Sequence, residues 1–377
     1  MEERDNINKF RKKRAGRKLL FRLAVLLLIV LVIILIVINW GSIIAPFKDA
    51  ALDVSKGGFP VELPGSAGYT LNELGESFYL LTDTYIYTYH ADGAQITNVQ
   101  HGFQNPVSES NHKRVVVYDK NGKEFKLFSR TGEIYAKPME DSIVFASIGN
   151  DDRCAVVTTS TRYSNYLYVY NGEGKQIFRW ASPNYKIMQV EFSEDDKSIF
   201  VAALGAQNGE LQQYIFRFDL GNAESHIWQT YIGSDISYEL SCDSKSVYAI
   251  TGGGCSRLDI ETGELIATGV FGNTIHDIPQ QDGAVCIVFS DPTSSGDVLT
   301  VYDDMFTDPK TLYIDKLTRA CTDSGKYYVL SGSQLRSYDG ALQEIKIYEL
   351  DDVYSDMIIM NGYAYLLGYN EVQRIAL

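Results

Sequence analysis

Recognisable catalytic motifs are missing from this chain. Its 377 residues contain no GxxxxGK[ST], HExxH, GxSxG or CxxCH, so P-loop, zinc-protease, esterase-elbow and c-haem chemistry lack motif support. Five cysteines (Cys154, Cys242, Cys255, Cys286, Cys321) include no CxxC pair, which removes zinc-ribbon and thioredoxin-like readings. Basic residues become scarce after the first 22 positions. Residues 1–22 carry nine Lys/Arg against three acids, a net of +6, while the whole chain is −14. Residues 23–377 therefore sum to −20. Phosphate binding needs clustered Lys/Arg, so nucleic acid is not an expected partner. After residue 60 no long amphipathic helical window stands out either.

Charge is also absent from Leu23 to Phe47, and there the chain reads LAVLLLIVLVIILIVI, sixteen apolar residues over 23–38. About 20 apolar residues cross a bilayer core as a helix. The run is long for a signal-peptide core, and no small-x-small cleavage site follows it. The expectation is an uncleaved transmembrane helix over 23–44, in contact with the lipid bilayer. Arg22 and Trp40 are the expected anchors at its two interfaces, and the basic excess before Leu23 sets the N-terminus in the cytoplasm. The expected layout is a basic tail (1–22), the span (23–44), a linker (45–58) and an extracytoplasmic domain (59–377).

The exported part is repetitive. SEDDKSIF (193–200), SCDSKSVY (241–248) and TDSGKYYV (322–329) each join a Ser/Thr–Asp–Lys turn to an apolar run, and weaker copies give eight turns centred at 75, 112, 152, 196, 244, 283, 325 and 362. A second landmark keeps step with the first: YHADGAQI, FSRTGEIY, YNGEGKQIF, LDIETGELI and YDGALQEI each end a strand in a tight Gly turn. Alternation in TYIYTY (84–89) and NYLYVY (165–170) is that of strands. Repeats of about 40 residues with four short strands each mean a β-propeller. The expected fold is all-β, with eight four-stranded blades (seven as the alternative). The chain ends on a third strand, so Phe59–Leu63 is expected to supply the missing outer strand of the last blade and close the ring, removing exposed sheet edges.

The Ser–Asp–Lys turns resemble those of bacterial propellers with YVTN and TolB-like repeats. LDIETGELI (258–266) resembles the quinoprotein (PQQ-type) repeat, in which a Trp stands four residues after the Gly. Ala136, Phe178 and Ala267 stand four residues after Gly132, Gly174 and Gly263, so the resemblance does not extend to the quinone, and no cofactor is expected. A basic tail, one span and an exported propeller together resemble an uncharacterised family of membrane-anchored propellers in Gram-positive anaerobes. That resemblance covers residues 1–377 and implies no reaction.

Strand order orients the ring. Counting strands a to d outward, the tether enters at the start of a d strand, so a–b and c–d turns are expected to face the bilayer. The b–c and d–a connections then face away, and the long segments 158–166, 205–212 and 290–297 are read as b–c loops, where binding tends to collect. In the first of these lie Arg162, Tyr163 and Tyr166, an aromatic and cationic set suited to a protein or sugar partner. His101 and His276 begin the a strands of blades two and six, near the axis on the outward face, where a ligand site is plausible; four blades apart, they are too far to share a metal ion, and no metal is expected. Glu194, Asp195 and Asp196 lack the alternating oxygens of a calcium loop and read as a hairpin tip. The residues around them depart from the sialidase Asp-box at Lys197 and Ile199. The expected function is a non-catalytic module binding a protein or cell-envelope polymer, with a glycan lyase or hydrolase as the alternative.

Overall fold

The structure, a computed structural model, describes residues 57–65, 68–279 and 285–377. Among these residues, thirty-two strands form eight separate antiparallel sheets of four strands each. Seven blades are consecutive in sequence, spanning residues 70–100, 106–138, 143–182, 186–233, 237–270, 275–314 and 319–349. The eighth combines three C-terminal strands, β30 (Asp356–Met360), β31 (Tyr363–Leu367) and β32 (Glu371–Ala376), with β1 (Val61–Glu62) as its outer strand d. Val61 pairs with Val372 and Glu62 with Glu371, and Leu63 N–H donates to the Asn370 carbonyl at 2.8 Å. The ring is thus an eight-bladed propeller closed by its N-terminal strand.

Among the described residues there is no helix, hence none able to cross a membrane. The expected span over 23–44, with Arg22 and Trp40, lies outside the described residues.

Each blade is packed from both sides, which explains why the second strands lose the polar/apolar alternation of a half-exposed sheet. Strand b of blade one, β3 (Ser77–Leu81), is buried at every position. So is strand b of blade three, β11 (Cys154–Thr158). Phe78, Phe125, Phe200 and Phe216 are fully buried between blades, each contributing roughly 1.5–3 kcal/mol by leaving water. Outer strands have one face open to solvent and are more exposed. Strand β29 (Glu344–Glu349) is exposed at most positions.

At three junctions an aromatic ring of one blade is seated on a glycine in the c–d turn of the next. Trp228, on strand d of blade four, lies over Gly263 in the c–d turn of blade five, where a Cβ would approach the indole to 2.5 Å. Its Nε1–H donates to the Ile260 carbonyl at 3.2 Å. Tyr135 sits likewise on Gly174, and Phe59 sits on Gly93, across the closure between blades eight and one. The ring-on-glycine contact is therefore made by residues of the preceding blade.

Polar staples join the a–b turns. Asp196, in SEDDK, is fully buried in the a–b hairpin of blade four with φ near 53°. Its carboxylate accepts the backbone N–H groups of Asn150 (3.0 Å) and Asp151 (2.5 Å) from blade three. Asp195 instead turns outward to Lys197 Nζ at 2.8 Å. The three acids thus serve a turn and a blade junction. Asn111 of blade two reaches the Gly149 carbonyl of blade three in the same way.

Residues 205–212 differ from the expected loop. They continue strands b and c of blade four, β15 (Ser198–Gln207) and β16 (Glu210–Asp219), into a hairpin closed by Asn208 and Gly209. Both turn residues have positive φ, 54° and 84°, as a two-residue hairpin turn of this hand requires.

Candidate functional site

The end of the ring that carries b–c and d–a connections is opposite the end where the chain enters. Gly57 lies against Asp92 and Ala94 in the c–d turn of blade one, which fixes the entry side.

On the other end, the blade-three segment 159–164 is shaped by local bonds. Ser160 Oγ accepts the N–H groups of Arg162 and Tyr163 at 3.1 and 3.0 Å. The buried Asn165 holds the base of the loop: its amide donates to the Thr158 carbonyl at 2.9 Å, and its Oδ1 accepts the Ile187 N–H of blade four at 3.1 Å. Strand β12 (Asn165–Tyr170) then turns Leu167 and Val169 into the core and places Tyr166, Tyr168 and Tyr170 on the side facing blade two.

A ladder of rings and cations follows. Tyr163 meets Tyr166 edge-on at 5.3 Å, and Tyr166 is 5.7 Å from Tyr168. The Arg162 guanidinium lies 5.5 Å from the Tyr163 ring, and Arg179 lies 4.3 Å over Tyr166 and 5.6 Å from Tyr168. Arg162 and Arg179 are exposed, and among the described residues neither forms an ion pair. Their donors remain available to a carboxylate, phosphate or hydroxyl, while the tyrosine faces offer flat apolar area. Burial raises the Tyr168 hydroxyl's pKa, opposed by Arg179, so the ring keeps its proton at neutral pH. The sequence placed Arg162, Tyr163 and Tyr166 together. It did not point to Arg179, which arrives by cross-strand register opposite Tyr168.

The two histidines do not share a site. His101 is buried in the connection between blades one and two, with Nε2 at 3.1 Å from the Thr82 carbonyl and Nδ1 accepting the Phe103 N–H. Burial lowers its pKa, favouring the neutral ring. Both ring nitrogens of His101 are thus used within this connection. His276 is half-exposed on the short a strand of blade six, with Nδ1 2.5 Å from Asp297 Oδ1. Asp297 also accepts the Leu317 N–H at 3.3 Å.

A second group, unmarked in the sequence, lines the axis. Glu109, Glu191 and Glu239 lie on the innermost strands of blades two, four and five. Glu109 is exposed to the solvent of the channel. Desolvation, and then the Glu239 charge, push its pKa up to about 8, against the Ser147 hydroxyl that donates to it at 3.3 Å. Desolvation raises Glu239 to about 7, and burial followed by the charges of Glu109 and Glu239 raises Glu191 well above the ordinary range. Further round the axis Arg319 bridges Asp277 (3.6 Å) and Asp356 (3.4 Å), linking blades six, seven and eight. No group of three or more His, Cys, Asp or Glu among the described residues is placed to hold a metal ion.

The profile of a family described as of unknown function (DUF5711) matches residues 62–377, every blade of the ring. The chain belongs to that family. No curated protein matches it in sequence. Among solved structures, this DUF5711 propeller is similar to Sqt1 of Saccharomyces cerevisiae, at 10% identity and TM-score 0.61 over 84% of this chain and 98% of that one. It is similar to the C-terminal WD40 domain of Sif2, at 13% identity and TM-score 0.60 over 86% and 99%. BamB of Moraxella catarrhalis is similar at 11% identity and TM-score 0.56, over 84% and 95%. At these identities the shared property is the propeller fold.

Proposed function

We propose that this DUF5711 member is a single-pass membrane protein whose extracytoplasmic propeller binds a protein or cell-envelope polymer through the face carrying its b–c and d–a connections. In this reading the basic tail (1–22) lies in the cytoplasm, residues 23–44 span the bilayer, and 45–58 link the span to the ring. Entry of the chain at the c–d end turns the opposite end outward. The observation that carries the binding role is Arg179 stacked 4.3 Å over Tyr166 beside Arg162 and Tyr163, with both guanidinium groups free of carboxylate partners among the described residues. Aromatic and arginine anchors on rigid strands are what protein recognition sites are built from. The propeller fold, shared with a WD40 domain, supports the same reading. The outward-face proposal keeps Arg162, Tyr163, Tyr166 and the exposed His276.

The test is crosslinking of the full chain in its own membrane, with identification of what is captured. Arg179→Ala and Tyr166→Ala should each reduce capture by about tenfold, the size of a 1–2 kcal/mol interface contact. Unchanged capture in both variants would remove this surface from the interface.

The second reading, a glycan lyase or hydrolase, draws on Glu109 and Glu239. With pKa values raised to about 8 and about 7, a protonated acid and an ionised base coexist near neutral pH. Turnover of an envelope glycan, abolished by Glu109→Gln or Glu239→Gln, with no partner captured, would establish it over the first.

A further inference from the structure

A separate concavity lies on the same outward end, at blade eight. The b–c turn of that blade and the links leading into blades one, seven and eight frame an open cavity of about 570 Å³. Its walls are Tyr69, Tyr354, Tyr369, Val353, Thr318 and Ser355, with backbone from Gly68, Leu367 and Gly368. Tyr354 is buried and forms the floor, while Tyr369 and Val353 stand at the mouth, 92% and 64% exposed. Tyr69 is pinned by its hydroxyl on the Pro64 carbonyl at 2.5 Å. Ser355 Oγ is already committed to the Leu367 carbonyl at 3.2 Å.

Among the described residues no basic side chain lines the cavity. Three carboxylates, Glu371, Asp352 and Asp351, act on Tyr354. Arg319, next in sequence to Thr318, is engaged by Asp277 and Asp356 on the axis. Three tyrosines beside these carboxylates, with no basic side chain among the described lining residues, make a setting that attracts an organic cation. The exposed Tyr369 and Val353 add apolar rim area that a small ion would leave uncovered and a polypeptide-borne side chain would cover.

We infer that the cavity walled by Tyr69, Tyr354 and Tyr369 receives a lysine or arginine side chain of a partner protein. This rests on the partner-binding reading and names the chemistry of one contact. The full-length chain in nanodiscs would be titrated with the Nα-acetyl methylamides of lysine, arginine, norleucine and glutamate, followed by saturation-transfer NMR. Lysine and arginine amides should bind at least about five-fold tighter than norleucine, the range of one partly exposed cation–π contact, and glutamate should not bind. Tyr369→Ala should weaken the cations by a similar factor, and Asp352→Asn should weaken them while leaving norleucine unchanged. A thermal melt of each variant checks that the ring is intact, as expected for side chains at the mouth.

Equal binding of lysine and norleucine, no binding of either cation, or indifference to Tyr369→Ala would overturn the inference. Tetramethylammonium binding about tenfold tighter than both cationic amides would overturn the assignment to a protein side chain. If crosslinking captures a partner and Tyr369→Ala leaves that capture unchanged, the cavity assignment fails while the binding role stands.

Discussion

Charge at single residues explains more of this molecule than any motif does. Glu109 illustrates how a carboxylate becomes costly without being sealed from water. It faces the axis among Glu191 and Glu239, and among the described residues no base forms an ion pair with it, so desolvation and like charge both favour its protonated form. In the folded ring its pKa is about 8, against an ordinary 4.5. Below the lower value both states carry the proton, and above the upper one both have lost it. Between them the folded state binds more protons, so stability falls as pH rises through that window. The melting temperature should drop between pH 5 and pH 9, and Glu109→Gln should flatten the drop. A variant with a steeper decline would contradict this assignment.

The sequence carried no sign of this group. Each axial glutamate sits in a different repeat, more than 40 residues from the next, and only ring closure brings them together. Asp196 shows the converse. Its place in a repeated hairpin was legible in SEDDKSIF, whereas its bonds to Asn150 and Asp151 of the neighbouring blade were not.

At the level of strands and turns, the repeat was readable because each blade solves the same problem with the same local chemistry. Turn residues that tolerate positive φ fall where a–b and c–d hairpins need them: Asn361 and Gly362 in blade eight, Ser324 and Gly325 in blade seven. Less legible was how blades grip each other. The glycine of the quinoprotein-like turn was visible at 263, but its aromatic partner, Trp228, comes from the preceding blade, 35 positions earlier. Gly263 has φ of 71°, and a Cβ there would sit 2.5 Å from the indole. Gly263→Ala should therefore cost about 2–4 kcal/mol, combining a left-handed backbone penalty with a displaced core ring. Gly362→Ala has a similar φ of 75° and no atom within 4 Å of the added carbon, so it should cost about 1–2 kcal/mol. Urea denaturation of both variants measures the difference, and equal losses would show that the Trp228 seat contributes nothing. The mistaken loop at 205–212 has a physical cause as well. Gly205, Asn208 and Gly209 read as loop residues, yet two of them close a turn and Gly205 makes room for Tyr185, whose ring would lie 2.9 Å from a side chain there.

For the whole ring, the decisive relation is between closure and orientation. A two-residue strand β1 completes blade eight, and Arg374 clamps the joint by lying 4.7 Å over Phe59 and 4.5 Å over Tyr363 while donating to the Ala91 carbonyl at 2.6 Å. Because this strand enters from the c–d end, any tether preceding it is attached there. The staples of the a–b turns gather at that end, while the Arg162–Tyr163–Tyr166–Arg179 ladder and the blade-eight cavity both open on the other. In the proposed reading the end opposite the tether is the one that meets a partner. The test that bears most directly on this division places a photo-crosslinking amino acid, in full-length protein in its native membrane, either at Tyr163 on the outward end or at Glu194 in an a–b turn. Capture of a discrete partner from position 163 and not from 194 is the expected result. Capture from position 194 alone would contradict the outward-facing binding role.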